Sequence, residues 1–368
     1  MHGTIDEREA WYWLLSARPG SYMAERELLG AFGSPLEMYE TPEKLLIGKA
    51  CAISGRAGEL ARQLVLSRKE NKIKEAYFSM TRAGIWLLTM DDEAYPKRLA
   101  GLYDRPAGLF VKGSLPDDER PSAAIVGSRI CTAYGKKNAQ ELGRALAAAG
   151  IQVISGLAVG IDTAGHEGAL SVQGKLRCTY GISGCGLDIV YPARNESLYA
   201  AVEAGGGLIS EYPPGIRPNS WHFPSRNRLI SGLSDCVAVI EAGHKSGSLI
   251  TAEHALRQGK DVFALPGRTA DVQSSGTNEL LRDGAQVLLS PDDILLYFGI
   301  DKPGENENTM RSLDKRWQRV YINLDCELRS VGELMAATGM QYNELIEILS
   351  EMEQAGIVKR PFDQYYTV

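Results

Sequence analysis

From residue 123 to residue 298, short apolar β-type runs and helical segments alternate without a break. No other feature of the chain limits its fold as strongly. The β-type runs fall at 123–127 (AAIVG), 151–155 (IQVIS), 177–182, 207–210, 236–240 (CVAVI), 261–265 (DVFAL) and 286–289. Helical spacing fills the intervals at 132–149, 162–171, 196–204, near 226–233, 248–258, 277–283 and 291–298. Parallel strands need a long crossover, usually a helix. This order therefore predicts an α/β fold, a doubly wound parallel sheet with helices on both faces.

The flanks read differently. EREAWYWLLSA carries helical apolar spacing and stops at Arg18-Pro19-Gly20, and ERELLGAFG stops at Gly33. In TPEKLL, Thr41 is placed to cap a helix, with Pro42 at its first position. Residues 55–80 read as one longer helix. Short helices joined by Gly-containing turns resemble sterile-alpha-motif or helix-hairpin-helix units, and a plain helical cap fits them equally well. IWLLT (85–89) and GLFVKG (108–113) are further β-type runs. KPGENENTM (302–310) is a polar linker. Beyond it come three helices, at about 312–320, in SVGELMAAT and in YNELIEILSEMEQ, with Gly339 as a turn. IVKRPFDQYYTV adds two short strands, a winged-helix-like layout. The expected domains are 1–84, 85–300 and 311–368, with 301–310 as linker.

Composition removes several classes. No apolar run approaches the ~18–20 residues of a membrane span, and the start MHGTIDEREAW lacks the pattern of a secretory signal. Cys51, Cys131, Cys178, Cys185, Cys236 and Cys326 include no C-x-x-C pair, which fits a reducing cytoplasm and no zinc ribbon. The five histidines form no H-E-x-x-H, so no metal is expected. The net charge of −6 argues against a generic polybasic nucleic-acid binder. Its distribution is uneven: residues 121–231 hold 10 basic and 7 acidic residues, while 232–300 and 301–368 are each net −4.

Doubly wound sheets bind ligands at the carboxyl ends of their strands. After the first run lies Gly127-Ser128-Arg129, entering a helix. Glycine admits close approach, the helix start offers N–H groups, and arginine adds a fork for phosphate. A tight turn with a solvated arginine fits as well. Gly156-Leu157-Ala158-Val159-Gly160 follows the second run, with Asp162 placed to cap. It completes neither a dinucleotide fingerprint nor a P-loop, so no cofactor is expected. Ser246-Gly247-Ser248 at another helix start reads as a second anion cradle or as ordinary capping. HFPSRNRLISGLSD places Phe223, Arg226, Asn227 and Arg228 at a helix start, where arginines can neutralise successive phosphates and an aromatic can stack on a base. A solvated helix start with Phe223 in the core is the alternative. Asp162, Asp188, Glu211 and Glu241 read as caps and loop residues, and His166 and His254 as core or surface residues.

IVGSR, SGLAVGIDTAGHEGAL, GCGLDIVYPARN, ISEYPPG, HFPSRNRLISGLSD, EAGHKSGSLITAEHALRQGKDVFALPG and GTNELLRDGAQVLL are similar, in order, to the DNA-processing protein A (DprA/Smf) family, over about residues 85–298. The resemblance implies an extended Rossmann-like domain that binds single-stranded DNA. It implies a homodimer, protection of incoming strands in natural transformation, and loading of the RecA recombinase. It implies no catalysis. Arg129 corresponds to the family's phosphate-contacting arginine, and Arg226, Asn227 and Arg228 to further DNA-facing groups. Many relatives carry lysine after the Y-P pair, where this chain has Ala193 and then Arg194. Relatives also carry lysine before H-F-P, where this chain has Ser220-Trp221, so Arg194 and a stacking Trp221 are the expected substitutes.

Two other classes compete. A Rossmann-type nucleotide phosphoribohydrolase resembles this fold, but its P-G-G-x-G-T-x-x-E reads EAGHKSGSLITAE here, keeping only Glu253. A sugar-phosphate-sensing transcriptional regulator needs a basic recognition helix. QYNELIEILSEMEQ instead carries Glu344, Glu347, Glu351 and Glu353 and no Lys or Arg.

Overall fold

The computed structural model describes residues 5–17, 20–172, 178–300, 314–321, 323–324, 329–355, 358–359 and 364–367. The expected linker at 302–310, residue 177 at the start of one expected strand, and Cys326 lie outside them.

Six helices open the chain: α1 (Glu7–Ala17), α2 (Tyr22–Phe32), α3 (Pro35–Glu40), α4 (Glu43–Ile53), α5 (Gly55–Ser67) and α6 (Glu70–Arg82). Residues 55–80 are thus two helices, not one. The break falls at Arg68, whose guanidinium donates to the Thr41 and Met38 carbonyls and lies over the Trp13 and Tyr39 rings. Thr41 closes α3 by donating its hydroxyl to the Glu37 carbonyl, and it does not cap α4.

Next come β1 (Ile85–Thr89), the single-turn α7 (Lys97–Ala100) and β2 (Gly108–Gly113). The alternation then runs β3 (Ser122–Val126), α8 (Ala133–Ala148), β4 (Gln152–Ser155), α9 (Ile161–Leu170), β5 (Thr179–Ser183), α10 (Glu196–Gly205), β6 (Gly206–Ser210) and α11 (His222–Gly232). It finishes with β7 (Cys236–Val239), α12 (Gly247–Arg257), β8 (Asp261–Ala264), α13 (Ser275–Arg282), β9 (Gln286–Val287) and α14 (Asp292–Tyr297). The nine strands form one sheet in the order β1-β2-β6-β5-β4-β3-β7-β8-β9. It is parallel from β6 to β9, and β2 and β1 extend it antiparallel. Every residue of β3, β4, β5, β6 and β7 is buried, the signature of a sheet covered on both faces. Chain order reverses at β3, between β4 and β7.

Residues Met1–Phe298 form one compact unit. Trp13, Leu28 and Leu64 of the opening helices share a continuous core with Phe110, Leu157 and Leu208 of the sheet region. The second unit, Gly299–Val368, holds α15 (Lys315–Tyr321), β10 (Arg329–Ser330), α16 (Val331–Thr338), α17 (Tyr342–Gln354), β11 (Val358–Lys359) and β12 (Gln364–Thr367). Its strands order as β10-β12-β11. Ser330 and Glu333 form a capping box on α16, and Gly339 ends it with a φ of 68°. Leu334, Leu345, Leu349 and Met352 make a separate small core.

Candidate functional site

A cleft of about 530 Å³ opens at the carboxyl ends of β3, β4 and β7. Helices α9, α11 and α12 begin at it, so their unpaired N–H groups and dipoles bias it toward negative charge. This is the topological switch point, where crevices form in open α/β sheets.

The turn after β3 supplies the first wall. A Cβ at Gly127 would lie 2.7 Å from Ile161 and 2.9 Å from the Glu241 carbonyl, so only glycine fits. The Ser128 N–H donates to the Glu241 carbonyl at 2.7 Å, and the Ser128 hydroxyl accepts from the Ile130 N–H at 3.1 Å. Arg129 is exposed and makes no ion pair among the described residues. Its guanidinium lies 5.3 Å from the centre of the Phe223 ring. Phe223 is half-buried and stacks on Tyr191, with centroids 5.4 Å apart. Tyr191, which lines the cleft, was not among the residues expected there. Its place just before Pro192, in the Y-P pair, was the available signal.

Helix α11 carries the largest correction. It begins at His222, a turn earlier than expected near 226, because Pro224 in a first turn loses no needed hydrogen bond. Arg226 and Arg228 therefore point inward from the second turn and are only 4% and 2% exposed. Arg226 lines the cleft floor, where Nη1 donates to the Gly156 carbonyl at 2.6 Å and to the Ile182 carbonyl. Arg228 does not line the cleft. It donates to Glu211 at 2.6 Å, lies 3.7 Å from Asp104 and sits over the Tyr22 ring of α2. A charge so enclosed is held by its carboxylate partners. Asn227 lines the cleft and donates to the Gly247 carbonyl at 3.1 Å, tying α11 to the start of α12.

Ser246, Gly247 and Ser248 lie across from Gly127–Arg129 in the same cleft. Ser246 also caps α12, accepting from the Ser248 N–H. Gly156 and exposed Arg194 line a smaller neighbouring cavity of about 220 Å³, which shares Arg129, Tyr191, Phe223 and Arg226 with the larger one. Trp221, 81% exposed, precedes α11 at the rim formed by Asn219 and Ser220. Leu157, in the turn after β4, has a positive φ of 58°, and no other described non-glycine residue does.

The remaining carboxylates divide. Asp162 is no cap, because Gly160 takes that place with a φ of 85°. Asp162 instead lines the cleft, and burial pushes its carboxyl up to about 6. Glu241 accepts from the Thr132 N–H at 2.8 Å, and Asp188 accepts from the Gly215 N–H at 2.9 Å, both as loop staples. Buried His166 bonds to the Thr179 hydroxyl at 2.7 Å, and His254 is half-buried on α12. Glu253 lies outside the cleft, exposed and ion-paired with Arg257 at 2.5 Å. Among the described residues no group of three potential metal ligands occurs, and no helix is long and apolar enough to cross a membrane.

The chain is similar to known proteins over most of its length. Protein Smf of Escherichia coli is 36% identical over 303 residues, 80% of each chain. The DNA processing protein DprA of Streptococcus pneumoniae is 39% identical over 256 residues, covering 70% of this chain and 88% of its own. The crystallographic structure of the pneumococcal protein superposes with a TM-score of 0.67 at 33% identity, over 80% of this chain and 98% of that one. The DNA processing protein A of Helicobacter pylori, solved to explain its single-stranded DNA binding mode, gives 0.51 at 34% identity over 58% and 95%. The family profile described as DNA recombination-mediator protein A matches residues 86–299, which hold eight of the nine strands entire, all but the first residue of β1, and the cleft, and the chain belongs to that family.

Proposed function

We propose that this protein binds single-stranded DNA across the cleft, without catalysis. In natural transformation it would shield incoming strands and load the RecA recombinase onto them, acting as a homodimer in the cytoplasm. The observation that carries the reading is Arg129. Exposed and unpaired, it stands over the Phe223–Tyr191 stack at the mouth of a cleft ringed by helix starts. Phosphates lie at the rim, on Arg129 and Arg194, and bases turn inward to the aromatic stack. Trp221 extends the stacking surface at the rim. Binding then leans more on stacking and less on counterion release than in relatives with lysine there. The helices and strands of the second unit support a winged-helix-like domain. The acidic α17 directs that domain to protein partners, away from a major groove.

Titration of a fluorescent strand of ~30 nucleotides against salt tests the reading. Arg129→Ala should weaken binding and reduce the salt slope by about 0.7, the share of one phosphate contact on a single strand. Unchanged affinity and slope would count against the site. Release of free base from a nucleoside monophosphate would instead favour the phosphoribohydrolase class.

A further inference from the structure

We propose that the cleft reads a base, with Arg226 and Asp162 holding the Watson–Crick edge of a guanine. This deepens the single-strand reading above and rests on it.

Asp162 is 6% exposed, yet it lines the cleft beside Arg226. The two approach Gly156 from two sides: a Cβ there would lie 2.6 Å from the Asp162 Oδ2 and 2.8 Å from the Arg226 Nη1. No direct ion pair joins them among the described residues, so each keeps bonding capacity for a third party. Arg226 commits Nη1 to two carbonyls and encloses Nε, so among the described bonds Nη2 is the donor left for the cleft that Arg226 lines. The Asp162 carboxylate is approached by the backbone N–H groups of Ala158 and Gly127, which leaves about two of its four acceptor sites free.

A phosphate is a poor occupant of this floor, because it would face the carboxylate with like charge and no proton to donate. A base edge that sets an acceptor beside donors suits it. Guanine presents O6 to the guanidinium, and N1–H and N2–H to the two carboxylate oxygens. Thymine, adenine and cytosine each offer the carboxylate one Watson–Crick donor, and guanine offers two side by side. The cleft, about 530 Å³, admits a purine, with Phe223 and Tyr191 placed to stack against it.

The test uses the full chain and ~30-nucleotide dT strands carrying one central dG, dA, dC or no substitution, titrated by fluorescence anisotropy at pH 8. The dG strand should bind roughly five- to a hundredfold tighter than the others, the discrimination of one bidentate pair. Asp162→Asn should abolish that preference, with circular dichroism and a melting curve establishing that the variant is folded. If it does not fold, pH replaces the substitution. The carboxyl sits up at about 6 through burial, faced by Arg226 of α11 and Arg129 of the turn after β3. At pH 5 it is protonated and loses an acceptor, so the wild-type preference should shrink. A preference that is equal at both pH values, or that survives in a folded Asp162→Asn protein, overturns the role of the carboxylate. Equal affinity for all four strands at pH 8 overturns the guanine assignment and leaves the single-strand reading standing. Failure of every strand to bind overturns both.

Discussion

Arg226 and Arg228 are two residues apart on α11, and burial separates their roles. Arg228 is enclosed by Glu211, Asp104 and Tyr22, so truncating it leaves the Glu211 carboxylate buried with no counter-charge. Breaking such a pair costs about 3–5 kcal/mol. Arg228→Ala should therefore lower the urea unfolding free energy by that amount, and a loss under about 1 kcal/mol would contradict this role. His166 gives a pH prediction at the same scale. Burial, with a smaller contribution from Arg226, pushes its imidazole from 6.5 down to about 3. The unfolded chain takes up a proton near 6.5 and the folded one does not. The stability this neutral histidine contributes is therefore full above 6.5 and drains as pH falls toward 3, at up to about 1.4 kcal/mol per pH unit. His166→Gln should flatten that dependence in denaturation midpoints measured between pH 7 and pH 4, and an unchanged slope would assign the acid sensitivity elsewhere.

At the scale of elements, α8 and α9 approach each other through glycine. A Cβ at Gly143 would lie 2.2 Å from the Gly165 carbonyl, and one at Gly168 would lie 2.1 Å from the Gln140 carbonyl. Neither carbonyl can retreat without moving its helix, so Gly168→Ala should cost about 1–3 kcal/mol by overpacking. Calorimetric melting reads this directly, and a melting temperature equal to wild type would place the helices farther apart. Of the two, α9 starts at the cleft, where Asp162 lines it. The strands and helices of 123–298 were legible because buried parallel strands and amphipathic helices leave different periods. The start of α11 was not, because Pro224 and Phe223 read as a loop until tertiary packing turned them into a first turn. The join of the opening helices to the sheet was equally hidden, since the core that Trp13 and Leu64 share with Phe110 and Leu208 has no local signature.

At the scale of the molecule, both compact units are net negative, and charge is uneven within the first. The sheet segment 121–231 is the positive one, yet Arg226 and Arg228, counted among its ten basic residues, lie in the interior. The exposed cations that line the cleft and its neighbouring cavity are Arg129 and Arg194, which make no broad basic field. The second unit has its own core and an acidic third helix. A chain ending at Phe298 should therefore bind the ~30-nucleotide strand within twofold of the full chain, and neither should gain duplex affinity from the second unit. A tenfold loss on truncation would give that unit a direct part in DNA binding.

Local sequence carries the layer architecture, the switch point where the cleft opens, and the turns Gly127–Arg129 and Ser246–Ser248 that line it. Those depend on local period and on the end of each strand, which neighbouring residues set. Which charges face the cleft is a matter of long-range packing. Arg228 turns away to Glu211, seventeen positions earlier in the chain. Asp162 turns in, beside an arginine from a helix more than fifty residues later. The direction of a buried charge is settled by partners distant in sequence, because desolvation makes an unpaired orientation too costly to keep.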